Sequence, residues 1–301
     1  MTYPGHPRII AAAVAALGFW ASAFVGTRIV VEGSHSGNAG SFSPGELALY
    51  RYGVASLTLA LLACWLRPPL PRRQDLPRLF ATGAIGIGVY TLALNTGQQS
   101  TTAGAASFIV NTAPLFSALF ACVALKENLR PAGWIGLLVG LAGIGLIALA
   151  EEGSGLSTGA LLVFVAAIAW AFYQIIQKPL LPHYGAFGVV CYAIWIGTAL
   201  FLPFTPGLVE AMARAPASHH ATVVYLGILP GALAFLAWSY LLAHLTVARA
   251  TPLLYLVPVL SLLIAWLVIS EQPQVLSIVG GLVAIGGVAL SRFGNRVKAT
   301  P

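Results

Sequence analysis

A stretch of this chain returns 144 residues later. Asn111-Thr-Ala-Pro114 is followed thirteen residues on by Glu127 and a Gly-rich apolar run, and Tyr255-Leu-Val-Pro258 by Glu271 and another. The same offset, without a gap, pairs Gly83 with Gly227, Thr102 with Thr246, Ser117 with Ser261, Gly136 with Gly280 and Gly143 with Gly287. Shared hydrophobicity alone would not align prolines, glutamates and glycines, so the match reads as a repeated structural unit. Each unit consists almost wholly of long apolar spans.

Only 8% of the 301 residues are charged and 58% are hydrophobic. A soluble domain carries roughly 25% charge, so these charges could not coat two soluble domains. A membrane helix needs about 20 apolar residues. Ten segments qualify, near 9–31, 46–66, 79–98, 103–125, 132–150, 159–178, 186–205, 221–243, 250–269 and 274–293. Barrel strands would be shorter and alternate in polarity. These runs are continuous, and a helix satisfies its own backbone inside lipid. The N-terminal run resembles a signal peptide with Ala21-Ser-Ala23 as its cleavage site, but it continues to Val31 and reads better as a first crossing. Cys64, Cys122 and Cys191 lie far apart inside spans and read as inert thiols.

Placing both termini in the cytoplasm puts twelve of the fifteen Lys and Arg residues on inner segments. The positive-inside rule therefore sets that orientation, with Arg28 and Arg51 inside spans near the outer side. The +7 charge reflects topology, and no basic, aromatic-interleaved surface suggests nucleic acid. The two copies are 1–152 and 153–301, with five spans each. Five is odd, so the second copy enters the membrane from the opposite face. The expected fold is an all-α membrane protein of ten transmembrane helices in two inverted five-helix repeats, an arrangement typical of secondary transporters that alternate access around a midplane site.

Pro114 and Pro258 fall within spans four and nine, where each removes a hydrogen bond to the carbonyl four residues back, Val110 or Leu254. They read as gating hinges of cavity-lining helices, with plain packing kinks as the alternative. Pro230 and Pro252 add flexibility in the second copy alone. Glu127 and Glu271 end equivalent helices at opposite faces, where interfacial capping or a gating ion pair would each fit. The glycines of spans five and ten suit close helix packing.

Gly18-Phe-Trp20-Ala-Ser-Ala-Phe24, Ala169-Trp170-Ala171, the proline-to-glutamate spacing and the position of Arg51 resemble the EamA-type transporters of the drug/metabolite transporter superfamily. The resemblance covers almost the whole chain and is similar within that family to aromatic amino-acid exporters. It implies export of amino acids or amphipathic compounds across a bacterial inner membrane.

Polar groups within membrane spans are costly and usually functional. The candidate substrate-binding residues are Trp20, Arg51, Tyr90, Asn95, Asn111, Trp170, Tyr173, Gln174, Trp238, Tyr240 and Tyr255. Arg51 could bind a substrate carboxylate or serve structure near the outer interface. The repeat aligns Asn111 with Tyr255 and Leu94 with Trp238, so selectivity is expected where the copies differ. No Asp, Glu or Lys lies central in a span and all six histidines are peripheral, which favours facilitated movement without a proton relay. There is no P-loop, so no ATPase subunit, cofactor or metal is expected, and enzyme readings lack their residues. The expected partners are the small-molecule cargo and the bilayer, and the protein is expected to be a monomer. A cationic-drug exporter of the same fold and a channel are the alternatives. A reporter active only in the cytoplasm should be active when fused after Pro301 and inactive when inserted near Ala215. The reverse pattern would overturn the orientation.

Overall fold

The computed structural model describes residues 7–35, 42–101, 103–150, 158–269 and 272–294. Glu151, Glu152 and Glu271 lie outside the described residues. In chain order the helices are α1 (Pro7–His35), α2 (Pro44–Leu66), α3 (Leu76–Gly83), α4 (Tyr90–Gly97), α5 (Ala103–Val110), α6 (Ala113–Ala124), α7 (Pro131–Ala150), α8 (Thr158–Gln177), α9 (Leu181–Phe201), α10 (Thr205–Arg214), α11 (Ala217–Leu226), α12 (Ala234–His244), α13 (Val247–Ala250), α14 (Leu256–Ile269) and α15 (Val275–Gly294). Among the described residues there is no strand.

Seven helical stretches are long and apolar enough to cross a membrane, and two shorter apolar helices, Pro7–Ala23 and Val275–Ser291, accompany them. One of the seven, Thr158–Arg214, has 57 residues, more than twice the ~20 that one crossing needs. Its helical path breaks at Gly185, whose φ of 64° is a conformation that favours glycine. Leu57, Leu61, Trp65, Val123, Leu267 and Leu282 turn outward. So broad an apolar exterior suits lipid rather than water.

Helix ends are fixed by local chemistry. At α2, Ser43 Oγ accepts the Glu46 amide while Glu46 Oε2 accepts the Ser43 amide at 2.8 Å, and Pro44 starts the helix. This reciprocal cap satisfies two N–H groups that the helix cannot use. Arg67 ends the helix in a left-handed conformation before Pro68 and Pro69.

The chain packs as two compact units, each drawn from both halves of the sequence. The first comprises Met1–Asn95 and Ile176–His244, and the second Thr96–Ile175 and Leu245–Pro301. In the first unit, π-helical turns interrupt two crossings at matched places, Ala84–Val89 just after Gly83 and Gly227–Leu233 beginning at Gly227. Only the second contains a proline, Pro230, so proline is not what produces the irregularity. The shared element is the glycine. A Cβ on Gly83 would stand 2.6 Å from Ile196 Cβ of α9, and one on Gly227 would stand 2.6 Å from Val54 Cβ of α2. The start of each π-turn therefore packs its bare backbone against a partner helix.

In the second unit, α7 and α15 form the most extensive helix pair. A Cβ on Gly136 would reach the Ser291 backbone nitrogen at 2.5 Å, and one on Gly143 would reach that of Ala284 at 2.5 Å. Gly280 in turn meets the Gly143 carbonyl, and Gly287 the Gly136 carbonyl. The early part of α7 thus meets the later part of α15, and the helices run antiparallel. Because the glycines are partners across the 144-residue offset, each contact has its mirror in the other. Small residues let backbones approach closely where lipid supplies no hydrophobic drive.

Both proline-bearing crossings are broken in this unit. Residues 111–112 form a turn between α5 and α6, just before Pro114. Thr251–Tyr255 is a 3₁₀ turn between α13 and α14, just before Pro258. The expected kinks are full interruptions, because each proline removes an N–H and its ring displaces the preceding turn. Glu127, after α6, accepts the backbone N–H of Val247 at 3.0 Å and that of Ala248 at 2.8 Å. A carboxylate at a helix start satisfies N–H groups that have no intrahelical acceptor. Glu127 therefore caps a second element rather than its own, and makes no ion pair among the described residues.

Replacing Gly143 with Leu should lower the melting temperature in detergent and cost about 1–3 kcal/mol or more, because the backbones must separate. Gly286→Leu on the same α15 should be near neutral, since a Cβ there meets nothing within 4 Å. Equal effects of the two would remove the packing role assigned to the glycine face.

Candidate functional site

The candidate residues fall into two groups, one in each compact unit. In the first unit Trp20 of α1 is the anchor. Its ring centroid lies 5.6 Å from that of Trp238 and 5.6 Å from that of Phe235, the latter edge-on. Its indole N–H donates to the Pro230 carbonyl at 3.2 Å. Trp20 therefore satisfies backbone in the π-turn while joining an aromatic cluster, an arrangement that suits a residue with an apolar body and one donor. Phe235 leads on to Tyr52 at 6.5 Å, and Tyr52 to Phe201 at 5.9 Å.

Trp238 has no exposed surface. It packs as core here, and cargo could touch it only after the surrounding helices move. Truncating a buried Trp typically costs about 3–5 kcal/mol, so Trp238→Ala is a stability variant as much as a transport variant. Tyr90 is half-buried and lies within electrostatic reach of both Tyr52 and Arg51. The Arg51 guanidinium carbon stands 5.6 Å from the Tyr52 ring centroid, and the Tyr52 hydroxyl accepts from Thr91 at 3.3 Å. Arg51, Tyr52 and Tyr90 thus form a cationic and phenolic group within a crossing.

Two other candidates in this unit have local partners. Asn95 donates to the Pro44 carbonyl at 3.2 Å, tying the end of α4 to the start of α2. Tyr240 pairs its ring with His244 at 4.3 Å and is half-buried. Beyond them, Gln177 Oε1 accepts from Ser239 at 2.9 Å with both side chains buried, and Lys178 donates to the Leu242 carbonyl. These contacts hold the start of the 176–244 segment against α12.

In the second unit Trp170 and Tyr173 of α8 pair at 5.3 Å, and Gln174 is fully buried beside them in sequence. Asn111, 8% exposed, turns its amide back on its own helix and donates to the Ser107 carbonyl at 2.7 Å. Tyr255 packs its ring against Gly140, where a Cβ would stand 2.5 Å from Cδ2. The hydroxyls of Ser117, Thr251 and Tyr255 are buried and have no hydrogen-bond partner among the described residues. Native proteins leave few such groups unsatisfied, and these three lie on α6 and the 3₁₀ turn, the two elements that the prolines interrupt. Their polarity lies where the backbone is already irregular.

Tyr52, Phe235, Ser117 and Thr251 were not among the candidates. Tyr52 and Phe235 could have been found as neighbours of Arg51 and Trp238, on helix faces otherwise apolar. The π-turns had a weaker sign, the matched Gly83 and Gly227. Among the described residues no three His, Cys, Asp or Glu side chains gather as metal ligands. Each unit brings aromatic rings together with hydroxyl and amide groups, and the first adds the Arg51 guanidinium.

Comparison with known proteins agrees with this inventory. The EamA-like transporter family matches twice, over residues 7–149 and 157–293. A "probable terminal-alkyne amino-acid exporter" of Streptantibioticus cattleyicolor is 40% identical over 90% of this chain and 89% of its own length. The transporter YdfC of Bacillus subtilis is 37% identical over 91% of this chain and 88% of its own. The inner membrane transporter YedA of Escherichia coli K12 is 26% identical over 81% of this chain and 78% of its own. A crystal structure shares the fold with a TM-score of 0.79, covering 98% of this chain and 100% of its own at 20% identity. With a family match across nearly all of its length and multiple apolar crossings, the chain is a multi-pass membrane protein and belongs to the EamA-like transporter family of the drug/metabolite transporter superfamily.

Proposed function

We propose that this protein is a secondary carrier that exports amino acids, aromatic or large neutral ones, across the bacterial inner membrane by alternating access. The observation that carries the reading is the 40% identity, over 90% of the chain, to a relative named as an amino-acid exporter. The aromatic and uncharged polar groups at the broken helices suit such cargo, since rings stack on rings and amides and hydroxyls meet the polar end.

The mechanism rests on inverted repeats, 1–152 and 153–301, with ten crossings and both termini cytoplasmic. The reciprocal glycine contacts of α7 and α15 support inversion, because equivalent helices of inverted halves must run antiparallel. The 57-residue stretch and the two shorter apolar helices leave room for the remaining crossings. Paired interruptions before Pro114 and Pro258 supply two equivalent hinges, one per copy. Exchange of roles between copies then gives inward-open and outward-open states of similar energy. Glu46, Asp75, Glu127 and Glu210 all serve helix ends or loops. That favours movement down the cargo gradient without a proton relay.

Purified protein in liposomes should show saturable counterflow of phenylalanine, tryptophan or leucine that persists when the pH gradient is collapsed. Ohmic ion current without saturation would point to a channel, and carriage of cationic drugs alone would point to a drug exporter. Tyr90→Ala should raise the half-saturating concentration about tenfold, the loss of one good aromatic contact, with the melting temperature little changed. Unaltered counterflow in that variant would take Tyr90 out of the site.

A further inference from the structure

We infer that Arg51 is the residue that reads the carboxylate of the cargo, and that the carboxylate rather than the ammonium group is what the carrier requires. The inference rests on the amino-acid reading above and narrows it to a chemical class, amphipathic monocarboxylates. Arg51 lies seven residues into α2 from Pro44, about 10 Å along the helix axis. It sits at the edge of the α2 face that buries Ala48, Tyr52, Ala55 and Leu59. Its Nε is buried without a hydrogen-bond partner, and among the described residues its guanidinium has no ion pair. Its one close aromatic contact is the face of Tyr52, at 5.6 Å.

Charged groups inside membrane segments normally find a counter-charge. Four acidic side chains are committed elsewhere. Glu46 accepts the Ser43 amide, Asp75 the Tyr184 hydroxyl, Glu127 the Val247 and Ala248 amides, and Glu210 pairs with Arg214. The cation therefore faces its surroundings with unused donors. Guanidinium offers two parallel N–H groups that match a carboxylate.

The same survey settles which end of an amino acid is recognised. An ammonium group would want a carboxylate or a dense carbonyl cluster, and the acids just named are occupied. Rings such as Tyr52 and Tyr90 can attract an ammonium weakly, but an adjacent arginine opposes it. The amine is tolerated and the acid is selected. This arrangement also disfavours cationic drugs.

Proteoliposomes loaded with phenylalanine provide the test. 3-Phenylpropionate, which keeps the acid and lacks the amine, should compete within about threefold of phenylalanine, while 2-phenylethylamine and phenylalanine methyl ester should be weaker by at least tenfold, the order expected when a donor built for a substrate group is left unpaired. Arg51→Gln should bring phenylalanine and its methyl ester to equal, weak competition, a loss of discrimination that a merely structural role would not produce. Arg51→Lys should keep part of the preference, and it carries the comparison if Arg51→Gln does not give monodisperse protein. Wild-type protein that exchanges the ester or the amine as well as phenylalanine overturns the carboxylate assignment and leaves the amino-acid reading standing. A folded Arg51 variant that still discriminates as wild type does overturns the role of Arg51. Failure to exchange any carboxylate overturns both.

Discussion

Inside lipid every backbone N–H and carbonyl must find a partner within the protein. This chain meets that demand with helices and departs from it at chosen points, and each departure is answered by a specific contact. The π-turn containing Pro230 is answered by the Trp20 indole. The first amides of α13 are answered by the Glu127 carboxylate. Breaks satisfied by side chains can be re-satisfied in another arrangement without exposing bare backbone to hydrocarbon, as the proposed hinges require. Ordinary helix packing does the opposite work. Along α7 and α15 the glycines bring backbones into contact, and nothing there can shift by a rotamer change alone.

Rigid and movable parts are therefore distributed unevenly within the second unit. The α7–α15 pair is held by backbone contact, while the interruptions before Pro114 and Pro258 lie in the crossings that flank it in sequence. Tyr255 links the two kinds of structure, since its ring lies on Gly140 of the rigid pair and its residue ends the 3₁₀ turn of the flexible one. A rearrangement of that turn is felt directly at the glycine face. In the first unit the matched π-turns play the corresponding part, each starting from a glycine pressed onto a neighbouring helix.

The all-helical, multi-pass character was legible in the sequence because its signals are coarse and local. Apolar runs, sparse charge and a 144-residue offset need no knowledge of contacts. Pro114 and Pro258 announced breaks because proline acts through its own backbone. The π-turns were not legible, since Ala84–Val89 carries no proline and differs from an α-helix only in hydrogen-bond register. Side-chain roles were partly hidden for the same reason. Trp238 and Tyr240 are two residues apart, yet the first is core and the second half-buried beside His244. Periodicity could not separate them, because in a membrane protein both faces of a helix are apolar. Arg51 stood out from sequence, but the engagement of Glu46 and Glu127 at helix ends could not be read there.

The two copies disagree most where that disagreement has chemical consequences. Ser107 and Asn111 of the first copy align with Thr251 and Tyr255 of the second. In the first, the Asn111 amide bonds back to the Ser107 carbonyl at 2.7 Å. In the second, both hydroxyls are buried and unpartnered. A symmetric pair of hinges would bind equally well on both sides of the cycle and release poorly on either. The imbalance does not run one way, because Ser117 of the first copy is also buried and unpartnered. Under the proposed carrier mechanism, selectivity belongs to these departures from the repeat and motion to the repeat itself.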